Sequence, residues 1–481
     1  MKRLKLSRRL SADRVFVSGG MLLLLVLSST VEAQNVRPTI MTRLFWQDAE
    51  NQTLSYADLY TTNTWNLKRG WVQGFPEAAA GGHRMGAMVQ AKNVLMVPLQ
   101  VAATGDGAAA AVSWLTADSG AFEEPHGNHF HWRYTRTPSV THLQAGGAMT
   151  GAVQTRVFDE TFLVSGDVSN QIQSVGVSQV GQRTSGPVAA SFAGGGAAPV
   201  IAAAGNSVAY AAWSDADGDH AGQVDVIHLK AGTRTAPVYS LRLPSGGIHQ
   251  ATVNSGKVFF ATSSGLSFVS ADLTAAQQPQ SVEIGEVVDV QPAADGTVRV
   301  SAFDNQRNWV MYVKEGPDGS HFCLIDAASS HPREIRIALT TVAGLRPGAP
   351  RCVLSLGQRF AFLFQESVTP AGDGDAAKPA AVSGAAVAEQ LTVISLDPNG
   401  DRDFSDAVVK QSVPVGRSRI DGERGHHDIC FDAYGRFAIF TNPGDGLLTV
   451  MSVRDLKQQA QFRVEGVPDR ILAFGAPEHF H

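Results

Sequence analysis

Apolar and polar positions alternate in short runs along most of the chain, and the runs are separated by glycine-rich turns. The clearest stretch is "GHHDICFDAYGRFAIFTNPGDGLLTVMSVRDL" at 425–456. It predicts a strand, a turn at Ala433-Tyr434-Gly435, a strand over "RFAIFTN", a turn at Pro443-Gly444-Asp445-Gly446 and a strand over "LLTVMSV". Period-two alternation with β-branched or aromatic residues marks each strand. The same phrase returns in looser form. "HRMGAMVQAKNVLMVPL" begins at 83, a weaker copy runs from Met149 through "DETFLVSGD", and "APVIAAAGNSVAYAAWSDADGDHAGQVDVIHL" spans 198–229. "GIHQATVNSGKVFFATSSGLSFVSADL" spans 247–273, "VVDVQPAADGTVRVSAFDNQRNWVMYV" spans 287–313, and "APRCVLSLGQRFAFLFQES" begins at 349. "RLFWQDAENQTLSYADL" at 43–59 is a copy without its first strand. Seven copies with a first strand and one fragment describe an all-β fold, a β-propeller. The fragment would share a blade with C-terminal residues and so close the ring. Seven blades are predicted, with eight the alternative.

Length alone would suggest two or three domains, but 48 glycines and few long amphipathic patterns favour one large repeat domain over 34–481. Two copies carry insertions. One, at about 117–142, holds a histidine cluster; the other, 366–390, is an Ala/Gly/Pro-rich stretch read as a disordered loop. The first 33 residues read as a signal peptide. Lys2, Arg3, Lys5, Arg8, Arg9 and Arg14 precede the apolar run "MLLLLVLSSTV" and the small residues Val31 and Ala33. That run is too short to span a bilayer comfortably, which takes roughly 20 residues. The expectation is a monomer in the periplasm or secreted, with no membrane insertion after cleavage. Six basic and two acidic residues leave with the peptide, so the mature chain has 33 basic and 42 acidic residues, a net charge of −9. Such a surface argues against nucleic acid as a partner. Cys323, Cys352 and Cys430 fit no zinc ribbon, although export permits a Cys323–Cys352 bridge. A metal site would be built from histidine and carboxylate.

In a propeller the first strand of each blade lines the central channel, so residues at its start face a shared axis. His83, His249 and the pair His426/His427 hold that position in three copies, and Asp289 holds it in a fourth. The remaining copies have apolar residues or Arg351 there. The bland alternative is that these histidines are core residues bonded to backbone. The second candidate is "EEPHGNHFHWRY" at 123–134. If Gly127-Asn128 is a two-residue hairpin turn, His126 and His129 oppose each other and His131 follows on the same face, with Glu124 opposite it. Cross-strand neighbours at roughly 5 Å bring imidazole nitrogens within reach of one ion at about 2.0–2.1 Å. Three histidines and a carboxylate suit a four-coordinate Zn²⁺; a polar hairpin with solvated rings is the alternative. The hairpin tip falls on the face opposite the channel histidines unless the insertion folds over. Cu²⁺ outcompetes zinc at nitrogen sites on affinity. Ca²⁺ is disfavoured, because "DADGDH" (215–220) and "DPNGDRD" (397–403) lack the glycine and glutamate of a calcium loop. No nucleophile elbow, phosphate loop or Cys-x-x-Cys pair is present.

The 425–456 copy resembles the repeat of exported bacterial propellers in which a Tyr-Val-Thr-Asn phrase closes the second strand; here it reads "AIFTN". With the loop "HGNHFHW" and the later "LRLPSGGIHQATVNSGKVFFATSSGLSFV", the chain resembles the periplasmic zinc metallochaperones that accompany zinc ABC transporters. The resemblance implies zinc bound by histidines and passed to the transporter's solute-binding protein. It places His126, His129 and His131 in the binding loop and His249 and His427 at channel positions. A zinc chaperone is therefore the first expectation. A scaffold for protein–protein contact comes second, and a lactonase-like metal-dependent hydrolase third. No residue is singled out as catalytic.

Overall fold

The N-terminal fragment obtains its missing strand from the far end of the chain. In the computed structural model, strand Thr39–Asp48 pairs with Thr53–Thr61 on one side and with Pro468–Phe474 on the other. Trp46 lies opposite Ile471 and Phe45 opposite Leu472. The structure describes residues 38–478 apart from 62–63, 77–82, 102–111, 146–148, 158, 167–169, 181–189, 206, 231, 272–284, 287–297, 317–318, 356, 368–386 and 420–424. The signal peptide and most of the 366–390 loop fall outside the described residues. No described helix is long and apolar enough to cross a membrane.

Among the described residues eight sheets form the ring, five of four strands and three of five in which the inner position is split into two short strands. All but the first run in sequence order from the inside out. Seven was the favoured number; the fragment and Pro468–Phe474 make a complete sheet of their own, and the count is eight. The inner strands in order are Pro468–Phe474, His83–Met85 with Val89–Ala91, Met149–Val157, Val200–Ala204, Gln250–Asn254, Arg299–Val300 with Asp304–Gln306, Leu345–Pro347 with Arg351–Ser355, and Ile429–Phe431. Inner strands of neighbouring blades pack side by side, as Val200–Ala204 does on Gln250–Asn254 and Ile429–Phe431 on Pro468–Phe474.

The eighth blade follows the predicted phrase closely. Gly435 takes φ +61° in the first turn, and the second is a single 3-10 turn, Pro443–Asp445, ended by Gly446 at φ +62°. Its outer strand Gln458–Arg463 alternates between exposed and half-buried positions, as a one-sided strand must. Between blades the layers are apolar. Leu44, Trp46, Ile439, Leu448, Val450 and Ile471 bury against one another where the eighth blade meets the first. Each such side chain contributes about 1.5–3 kcal/mol relative to exposure.

The 287–313 copy needs a correction. Its inner strand lies at 299–306, and Trp309–Gly316 is the second strand rather than the third. Asp289, assigned to the channel position of this copy, lies outside the described residues. Cys323, Cys352 and Cys430 are free, buried thiols, so the Cys323–Cys352 bridge does not form. Burial pushes all three thiols well above their ordinary range.

Candidate metal site and the channel mouth

The histidine hairpin forms as its sequence predicts. Strands Phe122–His126 and His129–Arg133 pair with His126 opposite His129 and Glu124 opposite His131. Gly127 takes φ +59°, with nothing within 4 Å of where a Cβ would sit, so the tip is open. Asn128 does not take a positive φ, so glycine at the first turn position does the work. The hairpin's root is fixed by Arg43 of the first blade. Nε and Nη2 donate to Asp58 at 2.6 and 3.1 Å, Nη1 donates to the carbonyls of Ser119 and Arg136, and Nη2 also donates to that of Tyr134. All five donors of one guanidinium are thereby satisfied. Tyr134 reaches across to donate to the Ala476 carbonyl.

Three imidazoles converge at the tip. Ring centroids lie 5.4 Å apart for His126 and His129, 5.0 Å for His126 and His131, and 4.7 Å for His129 and His131. His131 is 1% exposed while His126 and His129 face solvent. Nε2 of His129 and Nε2 of His131 are 2.7 Å apart, a hydrogen bond in which one ring donates. Two nitrogens on a tetrahedral zinc would stand roughly 3.3 Å apart, given Zn–N arms of about 2.0–2.1 Å. Accordingly, among the described residues no group of three or more His, Cys, Asp or Glu is already spread to hold a metal ion. The donor set nevertheless fits zinc, since the rings need to part by only about 0.6 Å to reach that spacing. Glu124 is on the same face, but its Oε2 is 2.6 Å from Arg133 Nε, and it is not turned to the rings.

The channel histidines stand at the start of inner strands, and His249 does not share the cavity of His426 and His427. His83 opens strand His83–Met85, opposite Val101; its side chain is outside the described part of the structure. His249 precedes Gln250–Asn254. Its Nδ1 is 3.0 Å from the Gly247 carbonyl, and its buried Nε2 has no hydrogen-bond partner. His426 and His427 lie at a cavity of about 440 Å³ that His249 does not line. His427 Nδ1 is 2.6 Å from the Thr441 carbonyl and Nε2 is 3.0 Å from Glu389. Both neighbours are acceptors, so both ring nitrogens are already engaged within the protein. It stacks on Phe364 at 4.7 Å. Burial raises the Glu389 carboxyl, but hydrogen bonds from His427, the Ser367 N–H and Ser418 outweigh it and hold the group at about 2. His426 Nδ1 is 2.8 Å from Glu366, and that hydrogen bond, opposed by burial, raises the His426 pKa.

The two regions are at opposite ends of the ring. Successive strands of a blade reverse direction, so a connection from third to outer strand leaves the end where the inner strand finishes. The hairpin is such a connection, between Val112–Asp118 and Ser139–Ala145. Gly475, just past the end of Pro468–Phe474, touches Tyr134 and Trp132, whereas Arg470, near that strand's start, lines the cavity. Five extended residues separate them, roughly 17 Å.

Sequence reasoning missed the cavity's most numerous groups: Arg299, Arg346, Arg351, Arg419 and Arg470. The available signal was Arg351, standing where other copies carry histidine or an apolar residue. The calcium-like loop after Asp397 uses its oxygens on itself, as Asn399, Asp401 and Asp403 accept the N–H groups of Asp401, Asp403 and Ser405.

No family model and no curated protein matches the sequence. Two structures of AztD from Citrobacter koseri, one of them apo AztD, match 92% of this chain and 99% and 100% of theirs. Their identity to it is 16%, and the TM-scores are 0.57 and 0.58. Over nearly its whole length, the chain shares the β-propeller fold of AztD.

Proposed function

We propose that this protein is an exported zinc metallochaperone in which His126, His129 and His131 carry the ion. The observation that carries the reading is the convergence of three imidazoles on an open hairpin tip with a fixed root. It is supported by the resemblance of the sequence to zinc metallochaperones, and the fold is the one shared with AztD.

Neutral imidazoles are good zinc donors, and three of them leave a fourth position open. Because Arg133 holds Glu124, that position falls to water or to a ligand of the receiving protein. An incoming ligand can then bind before a histidine leaves, and transfer proceeds by stepwise exchange within a complex. Loading breaks the hydrogen bond between His129 and His131 and turns both Nε2 lone pairs to the ion, and a protonated ring cannot bind, so zinc and protons compete for the site. The arginines around His426 and His427 weigh against a cation at the channel mouth.

The test is stopped-flow transfer from zinc-loaded protein to the apo solute-binding protein of a zinc ABC transporter. Transfer whose rate rises with partner concentration and exceeds release to a chelator supports the reading. Equal, partner-independent rates mean simple dissociation and contradict it.

A further inference from the structure

The cavity at the start of the inner strands is built for negative charge. Its walls come from the sixth, seventh, eighth and first blades and carry five guanidiniums against two carboxylates, Glu366 and Asp428. Both carboxylates are already engaged. Glu366 accepts from His426 Nδ1 at 2.8 Å and from the His427 N–H at 2.6 Å. Asp428 accepts the Ile471 N–H at 3.0 Å, and its other oxygen is 3.8 Å from Arg351, beyond hydrogen-bond reach. Outside the lining, Glu315 is shared by Arg299 and Arg346. Of the other three, Arg351 has only the loose 3.8 Å pair with Asp428, Arg470 acts electrostatically on Asp469, and no ion pair holds Arg419 among the described residues. Arg419 Nε is shielded from solvent and meets no acceptor among the described residues.

Like charges gathered from four separate blades repel one another, and a buried guanidinium N–H without an acceptor is costly. A ligand bearing several anionic oxygens answers both at once, because the planar guanidinium fork matches carboxylate and phosphate geometry. The volume suits a small molecule rather than a polymer. We propose that this cavity binds a small multivalent oxyanion, a polycarboxylate or a phosphate, through Arg351, Arg419 and Arg470. The site is at the other end of the ring from the histidine hairpin and is independent of the zinc reading.

Calorimetric titration of the metal-free mature protein with citrate, and separately with inorganic phosphate, tests this at fixed ionic strength set with chloride. One or both should bind saturably at one site, and which one binds identifies the source chemistry. An Arg419→Gln/Arg470→Gln double variant should lower the affinity by about tenfold or more, and Arg470→Lys, which keeps charge but loses the fork, by less. Replacing the three hairpin histidines should leave it unchanged. If the double variant does not fold, Arg351→Gln, at a side chain 51% exposed, serves in its place. Two outcomes would overturn the proposal. They are no binding of either probe above the chloride background and binding indifferent to the arginine substitutions.

Discussion

Nε2 of His129 and Nε2 of His131 share a single hydrogen bond of 2.7 Å across adjacent positions of one hairpin face. Such a contact holds a proton where a metal ion would sit, and replacing one with the other requires only a small parting of the rings. Zinc binding should therefore move that N–H proton to Nδ1 of its ring, with net proton release only where a ring is protonated, and should weaken steeply below the ordinary imidazole range near pH 6.5. Calorimetry in two buffers of different ionisation enthalpy measures the protons released. A buffer-independent heat at pH 6, with affinity flat between pH 8 and 6, would contradict exchange at this pair.

Arg43 is the anchor of the hairpin, and its loss should be felt in both stability and binding. Arg43→Met leaves Asp58 in a buried site without its partner and removes the donors to three carbonyls. Breaking a buried pair in this way costs about 3–5 kcal/mol. Urea unfolding should show a loss of that order, with weaker zinc binding in protein that remains folded. A variant of unchanged stability would show that the hairpin root is held by other contacts.

Glu389 gives the fold an acid-sensitive joint. Its folded value of about 2 lies below the ordinary 4.5, so the stabilisation is complete above pH 4.5 and is lost as pH falls towards 2. The wild-type urea midpoint should drop through that window, and Glu389→Gln, less stable at neutral pH, should drop less. Parallel profiles for the two proteins would assign the acid sensitivity elsewhere.

The sequence revealed the architecture better than the number of blades. Strand alternation and glycine turns are local signals, so the "RFAIFTN" and "LLTVMSV" strands were legible to within a residue. Ring closure is not local: Trp46 meets Ile471 across the whole chain length, and counting blades required deciding whether that pairing completed a sheet of its own. The hairpin register was legible because a two-residue turn fixes it, which put His126 opposite His129. Ring orientation was not, and neither was the choice of Glu124 to pair with Arg133. The channel histidines show the limit of positional reasoning. Strand starts predicted where His249 and His427 stand, but Glu389 and the arginines around them come from other blades, and those neighbours decide what each imidazole can do.

The most direct test is a zinc titration of the metal-free mature protein against a competing chelator, beside a variant with His126, His129 and His131 all replaced by alanine. The hairpin lies outside the eight sheets of the ring, so the variant should fold with an unchanged strand-dominated circular dichroism spectrum. The expected result is one tight zinc equivalent in the wild type that is absent from the variant. A folded variant that retains that equivalent at wild-type affinity would contradict the hairpin as the zinc site.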